Sequence, residues 1–159
     1  NLLGRHIGYL PLDIELLDGT IAQNISRFTD IDSDKVIQAA TAVGLHEVIL
    51  RMPQGYDTPI GEAGRRFSGG QRQRLGLARA VYGEPLILVL DEPNANLDEV
   101  GEKALYQVVD QMRNQGKTIF LISHRPGAMQ VADMVLVLNQ GKIQAMGPKS
   151  QFINNLSQA

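Results

Sequence analysis

Leu86-Ile87-Leu88-Val89-Leu90-Asp91-Glu92-Pro93 is an apolar run that ends in two adjacent carboxylates. Set off by Pro85, the residues Leu86 to Leu90 read as a short strand buried on both faces. Successive side chains of a strand alternate, so Asp91 and Glu92 leave its mouth on opposite sides. Carboxylates in that place can hold a metal ion and polarise a water. One helix upstream stands Phe67-Ser68-Gly69-Gly70-Gln71-Arg72-Gln73-Arg74. Ser68 can cap a helix across the two glycines, where helix propensity is otherwise lost. Such a turn offers backbone N–H groups, a hydroxyl and a helix N-terminus to an anion.

Outward from these two segments the chain alternates strands and helices. Upstream, Ile7 to Leu10 reads as a strand stopped by Pro11, and Leu12 to Thr20 as a loop turning at Asp18-Gly19. The pattern from Ile21 to Tyr82 is helical. Asp32-Ser33-Asp34 can cap a helix with Val36, Ile37, Ala40 and Val43 on one stripe, ended by Gly44. A short helical piece spans His46 to Leu50, Pro53 to Arg66 reads as a loop, and a helix runs from Ser68 to Tyr82. Tyr9 and Phe67 read as aromatics packed in the core or under loops. Downstream, an amphipathic helix over Glu99 to Arg113 stops at Gly116, and Thr118 to Ile122 reads as another buried strand. Met134 to Leu138 pairs with Lys142 to Met146 across Asn139-Gln140-Gly141, and Pro148 to Leu156 reads as a terminal helix. Strand–helix–strand alternation predicts a parallel sheet with helices on its faces.

Bulk properties bound the reading. At 159 residues the chain is long enough for one domain with a real core. A net charge of -2 gives no argument for general binding to nucleic acid or anionic lipid. Arg72, Arg74 and Arg79 lack interleaved aromatics and read as a solvated helical face. There are no cysteines, which excludes disulfides and thiolate metal sites. No apolar run approaches the roughly 20 residues of a membrane span.

Together these segments resemble the nucleotide-binding domain of ABC transporters, of the exporter type, from Ile7 to the terminal helix. Asp18-Gly19-Thr20-Ile21-Ala22-Gln23-Asn24-Ile25, Ile60-Gly61-Glu62-Ala63-Gly64 and Asn94-Ala95-Asn96-Leu97-Asp98 look most like ATPases of bacterial type I protein secretion. The resemblance implies an α/β fold: a P-loop NTPase (RecA-like) core from residues 1–20 and 83–159, with an inserted helical subdomain over residues 21–82. It implies roles as well. The position of Glu92 polarises the attacking water, and that of Asp91 helps hold Mg²⁺. Ser68, Gly69, Gly70 and Gln71 match the signature motif, which binds the γ-phosphate of ATP held mainly by a second copy. Asp98 matches the acidic end of the loop that links the two sites of such a dimer, besides being able to cap the following helix. His124 matches the histidine that contacts the γ-phosphate. The implied partners are a transmembrane domain and a second nucleotide-binding domain, with no nucleic acid, at the cytoplasmic face of the bacterial inner membrane.

Two departures qualify the match. The phosphate-loop motif G-x-x-x-x-G-K-[ST] occurs nowhere, and Gly116-Lys117-Thr118 reads as a helix stop entering a strand. The resemblance therefore places that motif before Asn1 and makes the core N-terminally truncated, with one face or edge of its sheet exposed. A chain without an initiator Met is expected to be an excised piece of something longer, or a mature fragment, and nearly inactive by itself. Secondly, Leu12 stands where the family has a glutamine. A leucine cannot ligate Mg²⁺ or hydrogen-bond a water, although it can pack against a transmembrane coupling helix. Two alternatives stay open: a soluble ATPase of this family that acts on nucleic acid, and a non-catalytic docking or regulatory module.

Overall fold

β1 (Ile7–Leu10) and β3 (Thr118–Ile122) flank β2 (Ile87–Asp91) in a parallel three-stranded sheet. This computed structural model describes residue 4, residues 6–61 and residues 67–152. The chain divides into two compact units, residues 1–123 and residues 124–159. The sheet belongs to the first.

Between β1 and β2 the described residues include the helices α1 (Ile21–Ile25), α2 (Ser33–Ala42), α3 (His46–Leu50) and α4 (Gly69–Val81). The local chemistry explains where each begins. Thr20 and Gln23 form a capping box on α1, and Asp32 accepts from the Lys35 N–H to start α2. Gly44, at φ 70°, lets the chain leave α2 in the left-handed region. Buried Asn24 bonds both the N–H and the carbonyl of Leu17, each at 2.9 Å, and so pins the loop after β1 to α1. The stretch Pro53 to Arg66, expected to be a loop, holds a 3-10 turn at Gly55–Asp57 and a helical start at residues 60–61. Residues 62–66 lie outside the described residues, and with them Glu62, Ala63 and Gly64. After β2, α5 (Glu99–Asn114) leads back to β3. Gly116, at φ 76°, closes that helix and Thr118 opens the strand, as expected of Gly116-Lys117-Thr118.

The register sorts the sheet into two unlike faces. Gly8, Leu10, Leu88 and Leu90 face the helices, and Leu10, Leu88 and Leu90 are wholly buried. Each such leucine contributes about 2 kcal/mol. Ile7, Tyr9, Ile87, Val89, Phe120 and Ile122 share the opposite face. There Tyr9 is 53% exposed and Phe120 is 57% exposed. The expectation that β2 and β3 are buried on both faces is thus corrected: β2 alternates buried and half-buried, and β3 alternates half-buried and exposed. Leu86 precedes the strand and is itself exposed. Tyr9 is not a core aromatic, whereas Phe67 is buried. Ile37 also leaves the predicted stripe for the surface, and Ala39 takes its buried place beside Val36 and Ala40.

In the second unit α6 (Pro126–Val131) precedes an antiparallel hairpin of β4 (Met134–Asn139) and β5 (Lys142–Pro148). Gln140 and Gly141, at φ 49° and 73°, make the tight turn. β5 continues two residues past the predicted Met146, to Pro148 opposite Met134. Proline is tolerated there because the last residue of a strand need not donate. The predicted terminal helix accordingly begins later: residues 150–152 are helical, and the rest lies outside the described residues.

Candidate functional site

β2 delivers Asp91 as its last residue, half-buried, and Glu92 immediately after it. The Glu92 N–H donates to the Ile122 carbonyl of β3 at 2.9 Å, which holds the residue at the sheet's mouth. Its backbone sits at φ 45°, in the left-handed region that a β-carbon disfavours. Residues kept in such conformations concentrate where a side chain must be aimed.

A tight turn follows. Ala95 donates to the Glu92 carbonyl at 3.1 Å, and Asp98 closes the turn by capping α5, its Oδ1 accepting from the Gly101 N–H at 2.8 Å. Asn94, in the sequence only one letter of a turn, is 1% exposed. Its Nδ2 donates to Glu102 Oε1 at 3.2 Å and to the Tyr106 hydroxyl at 3.4 Å. Its Oδ1 accepts from the Ser123 hydroxyl at 3.3 Å. One buried amide therefore joins the turn after Glu92, the face of α5 and the end of β3. A polar residue in a turn gives no sign of burial in the sequence, and only the fold reveals it.

At the start of α4, Ser68 Oγ accepts from the Gln71 N–H at 3.1 Å, and Gln71 Oε1 accepts from the Ser68 N–H at 2.9 Å. This reciprocal box occupies Gln71. The N–H groups of Gly69 and Gly70 are among those a helix cannot satisfy itself. Both glycines lie on the turn that follows Glu92. A β-carbon added to Gly69 would stand 3.7 Å from Asn96 Cβ, and one on Gly70 would stand 2.9 Å from the Asn96 carbonyl oxygen.

Ser68, Gly69, Gly70, Gln71, Asp91, Glu92 and Asp98 therefore belong to one unit, with the α4 start seated against the turn between Glu92 and Asp98. His124 is exposed and opens the second unit, directly after Ser123 in the chain. Leu12, in the loop after β1, is 48% exposed. Among the described residues, no group of three or more His, Asp or Glu could hold a metal ion by itself.

The arginines of α4 correct the expectation of a solvated stripe. Arg72 is exposed, but Arg74 donates to the Gly44 carbonyl at 3.2 Å and Arg79 to the Glu15 carbonyl at 2.9 Å. Burial holds the Arg79 guanidinium below the ordinary arginine pKa. Arg27 is lowered likewise, by burial and then by the neighbouring charge of Arg79. Arg27, too, carries no signal in the sequence.

Comparison with known proteins gives a consistent set of likenesses. A family model described as ABC transporter matches residues 1–95. The type I secretion system ATP-binding protein PrsD of Rhizobium meliloti (strain 1021) is 50% identical over 155 residues, which is 97% of this chain and 27% of that protein. An ATP-dependent lipid A-core flippase of Saccharophagus degradans is 40% identical over 146 residues, 91% of this chain and 25% of the flippase. Among solved structures, a bacterial Atm1-family ABC exporter with ATP bound aligns with a TM-score of 0.82 at 33% identity, covering 95% of this chain and 26% of the exporter. The chain spans about a quarter of the length of these proteins.

Proposed function

The chain belongs to the ABC transporter family, and we propose that it works in the ATP-binding and ATP-hydrolysing domain of an exporter, most closely one for type I protein secretion. The observation that carries this reading is the seating of the α4 start on the turn that follows Asp91 and Glu92. A phosphate-facing helix end and a pair of carboxylates are thereby built into one unit.

In this reading Glu92 orients and polarises the attacking water. Its backbone is held by β3 and by its own turn, so the carboxylate needs little reorganisation during the reaction. The Ser68 hydroxyl and the N–H groups of Gly69 and Gly70 bind the γ-phosphate of ATP held by a second copy, while Gln71 keeps Ser68 in place. Asp98 shapes the turn between the two sites, and His124 is the residue that contacts a γ-phosphate.

Asp91 is a hard oxygen donor that, among the described residues, stands apart from any three-residue cluster. That suits Mg²⁺, which takes one or two carboxylates together with waters and substrate phosphates. When bound, the ion neutralises phosphate charge. The proposed partners are a transmembrane domain and a second copy of this domain, at the cytoplasmic face of the bacterial inner membrane. Among the described residues no helix is long and apolar enough to cross a membrane.

The test is ATP turnover by the full-length protein that carries this chain, against its Glu92→Gln variant. We expect turnover that Glu92→Gln reduces by at least a hundredfold while ATP binding persists. Turnover indifferent to Glu92→Gln, or no nucleotide binding, would sink the reading.

A further inference from the structure

Arg27 and Phe28 are consecutive residues in the left-handed region, at φ 58° and 56°. The double reversal turns the chain after α1 and sends the Arg27 side chain back toward the sheet. An arginine has five N–H donors. Here all of them meet main-chain carbonyls: Nε donates to Arg79 at 2.9 Å, Nη1 to Gly4 and Ile7 at 3.1 Å each, and Nη2 to Ala80 at 2.8 Å and Tyr82 at 3.4 Å.

These carbonyls are the ones that secondary structure leaves over. Arg79 and Ala80 lie in the last turn of α4, whose final carbonyls have no partner within the helix and favour a nearby cation. His6 gives its carbonyl to the N–H groups of Leu86 and Ile87. The Ile7 carbonyl, one residue on, therefore points away from β2, to the outer edge of the sheet. One guanidinium thus ties two hinges together: the start of β1, and the end of α4 where residues 21–82 return to the sheet.

We infer that Arg27 is a positioning residue for the proposed hydrolysis, setting the angle at which α4 is carried on the sheet and hence where Ser68 is presented. The inference rests on the proposed function for its catalytic consequence, and on geometry alone for the clamp. The lever is long: α4 spans thirteen residues, and the clamp grips its last turn at Arg79 and Ala80. At 1.5 Å per residue the clamped turn lies about 17 Å from the helix start, so a tilt of about 10° moves the start by about 3 Å. Displacements of about 1 Å can cost a hundredfold in rate.

The experiment uses the full-length protein, with Arg27→Gln, Arg27→Lys and a control, Ile49→Val, that loosens the buried side of α3 without touching either hinge. For each, the kcat and KM for ATP, the melting temperature and amide exchange over residues 79–86 are measured. We expect Arg27→Gln to lower kcat at least tenfold, far beyond Ile49→Val at a matched melting temperature. Exchange should rise over residues 79–86, and Arg27→Lys should restore only a minor part of the rate, because one ammonium cannot span both hinges. A kcat within twofold of wild type, or a loss no greater than that of the control, would overturn the inference. If Arg27→Gln does not fold, Arg27→Lys decides by the same comparison. If wild type shows no Glu92-dependent turnover, the proposed function has failed, and exchange alone judges the clamp: raised in Arg27→Lys supports it, unchanged overturns it.

Discussion

Gly70 lies so close to Asn96 that a β-carbon on the glycine would stand 2.9 Å from the Asn96 carbonyl oxygen, whereas one on Gly69 would stand 3.7 Å from the nearest atom of that residue. The two glycines are neighbours in sequence with opposite tolerances. The partner of Gly70 is backbone and cannot rotate aside.

We therefore expect Gly70→Ala to destabilise the protein by about 1–3 kcal/mol as overpacking forces the turn away. Gly69→Ala should be neutral or gain a few tenths of a kcal/mol from helix propensity. Urea midpoints of the two variants measure the contrast directly. Equal midpoints would refute the contact.

Asn94 offers a second test. Replacing it with Leu keeps the branched shape but removes its hydrogen bonds to the Ser123 hydroxyl, Glu102 and the Tyr106 hydroxyl. A lost intramolecular hydrogen bond costs about 0.5–1.5 kcal/mol, so Asn94→Leu should destabilise the protein by about 1–3 kcal/mol in all. Asn94→Asp sets a carboxylate where the amide donated to Glu102, so its deficit should shrink as the pH is lowered and one carboxyl protonates. Thermal melts at neutral and mildly acidic pH would check both outcomes.

Gly76 faces the loop after β1: a β-carbon there would stand 2.5 Å from Ile14 Cδ1 and 2.8 Å from Leu10 Cδ1. Gly76→Ala should cost about 1–3 kcal/mol, against a helix-propensity gain of up to about 1 kcal/mol. Shortening Ile14 relieves the larger part of the clash and leaves the contact with Leu10. In a double-mutant cycle, Gly76→Ala with Ile14→Ala should show a coupling of at least about 0.5 kcal/mol. Strict additivity would mean that the loop is not seated on α4.

The α2 cap carries a pH signature. The hydrogen bonds from Lys35 to Asp32 hold the Asp32 carboxyl below its ordinary pKa and lift the Lys35 ammonium above its own. For a depressed acid the contribution is present above the unfolded pKa and is lost as the pH falls through the folded one. For a raised base it is present below the unfolded pKa and is lost as the pH rises through the folded one. The melting difference between wild type and Asp32→Asn should therefore be largest at neutral pH and fade toward both extremes. The pair is exposed, so the effect is small and sensitive to salt.

What the sequence discloses depends on whether a residue's partners are local. The strand before Asp91 is legible because an apolar run halts at charge, and the α4 start is legible because Ser68 and Gln71 cap each other within three residues. Burial is less legible. Val89 and Phe120 are as apolar as Leu88 and Leu90, and only the register reveals that they share the half-open face with Tyr9. Arg74 and Arg79 look like a solvated stripe until the loops that supply their carbonyls are in place. Arg27 is the extreme case, with partners 20 to 55 residues away in the chain.

Arg27 also bears on how this sequence can vary. Each of its five partners is a main-chain carbonyl, so the clamp recognises the path of the chain and no side chain. Among relatives that keep this path, positions 4, 7, 79, 80 and 82 are free to drift in identity without loosening it, while position 27 is not. Such a residue would stay fixed with no companion that changes in step with it, and pairwise covariation would pass over a tie that joins two distant parts of the chain.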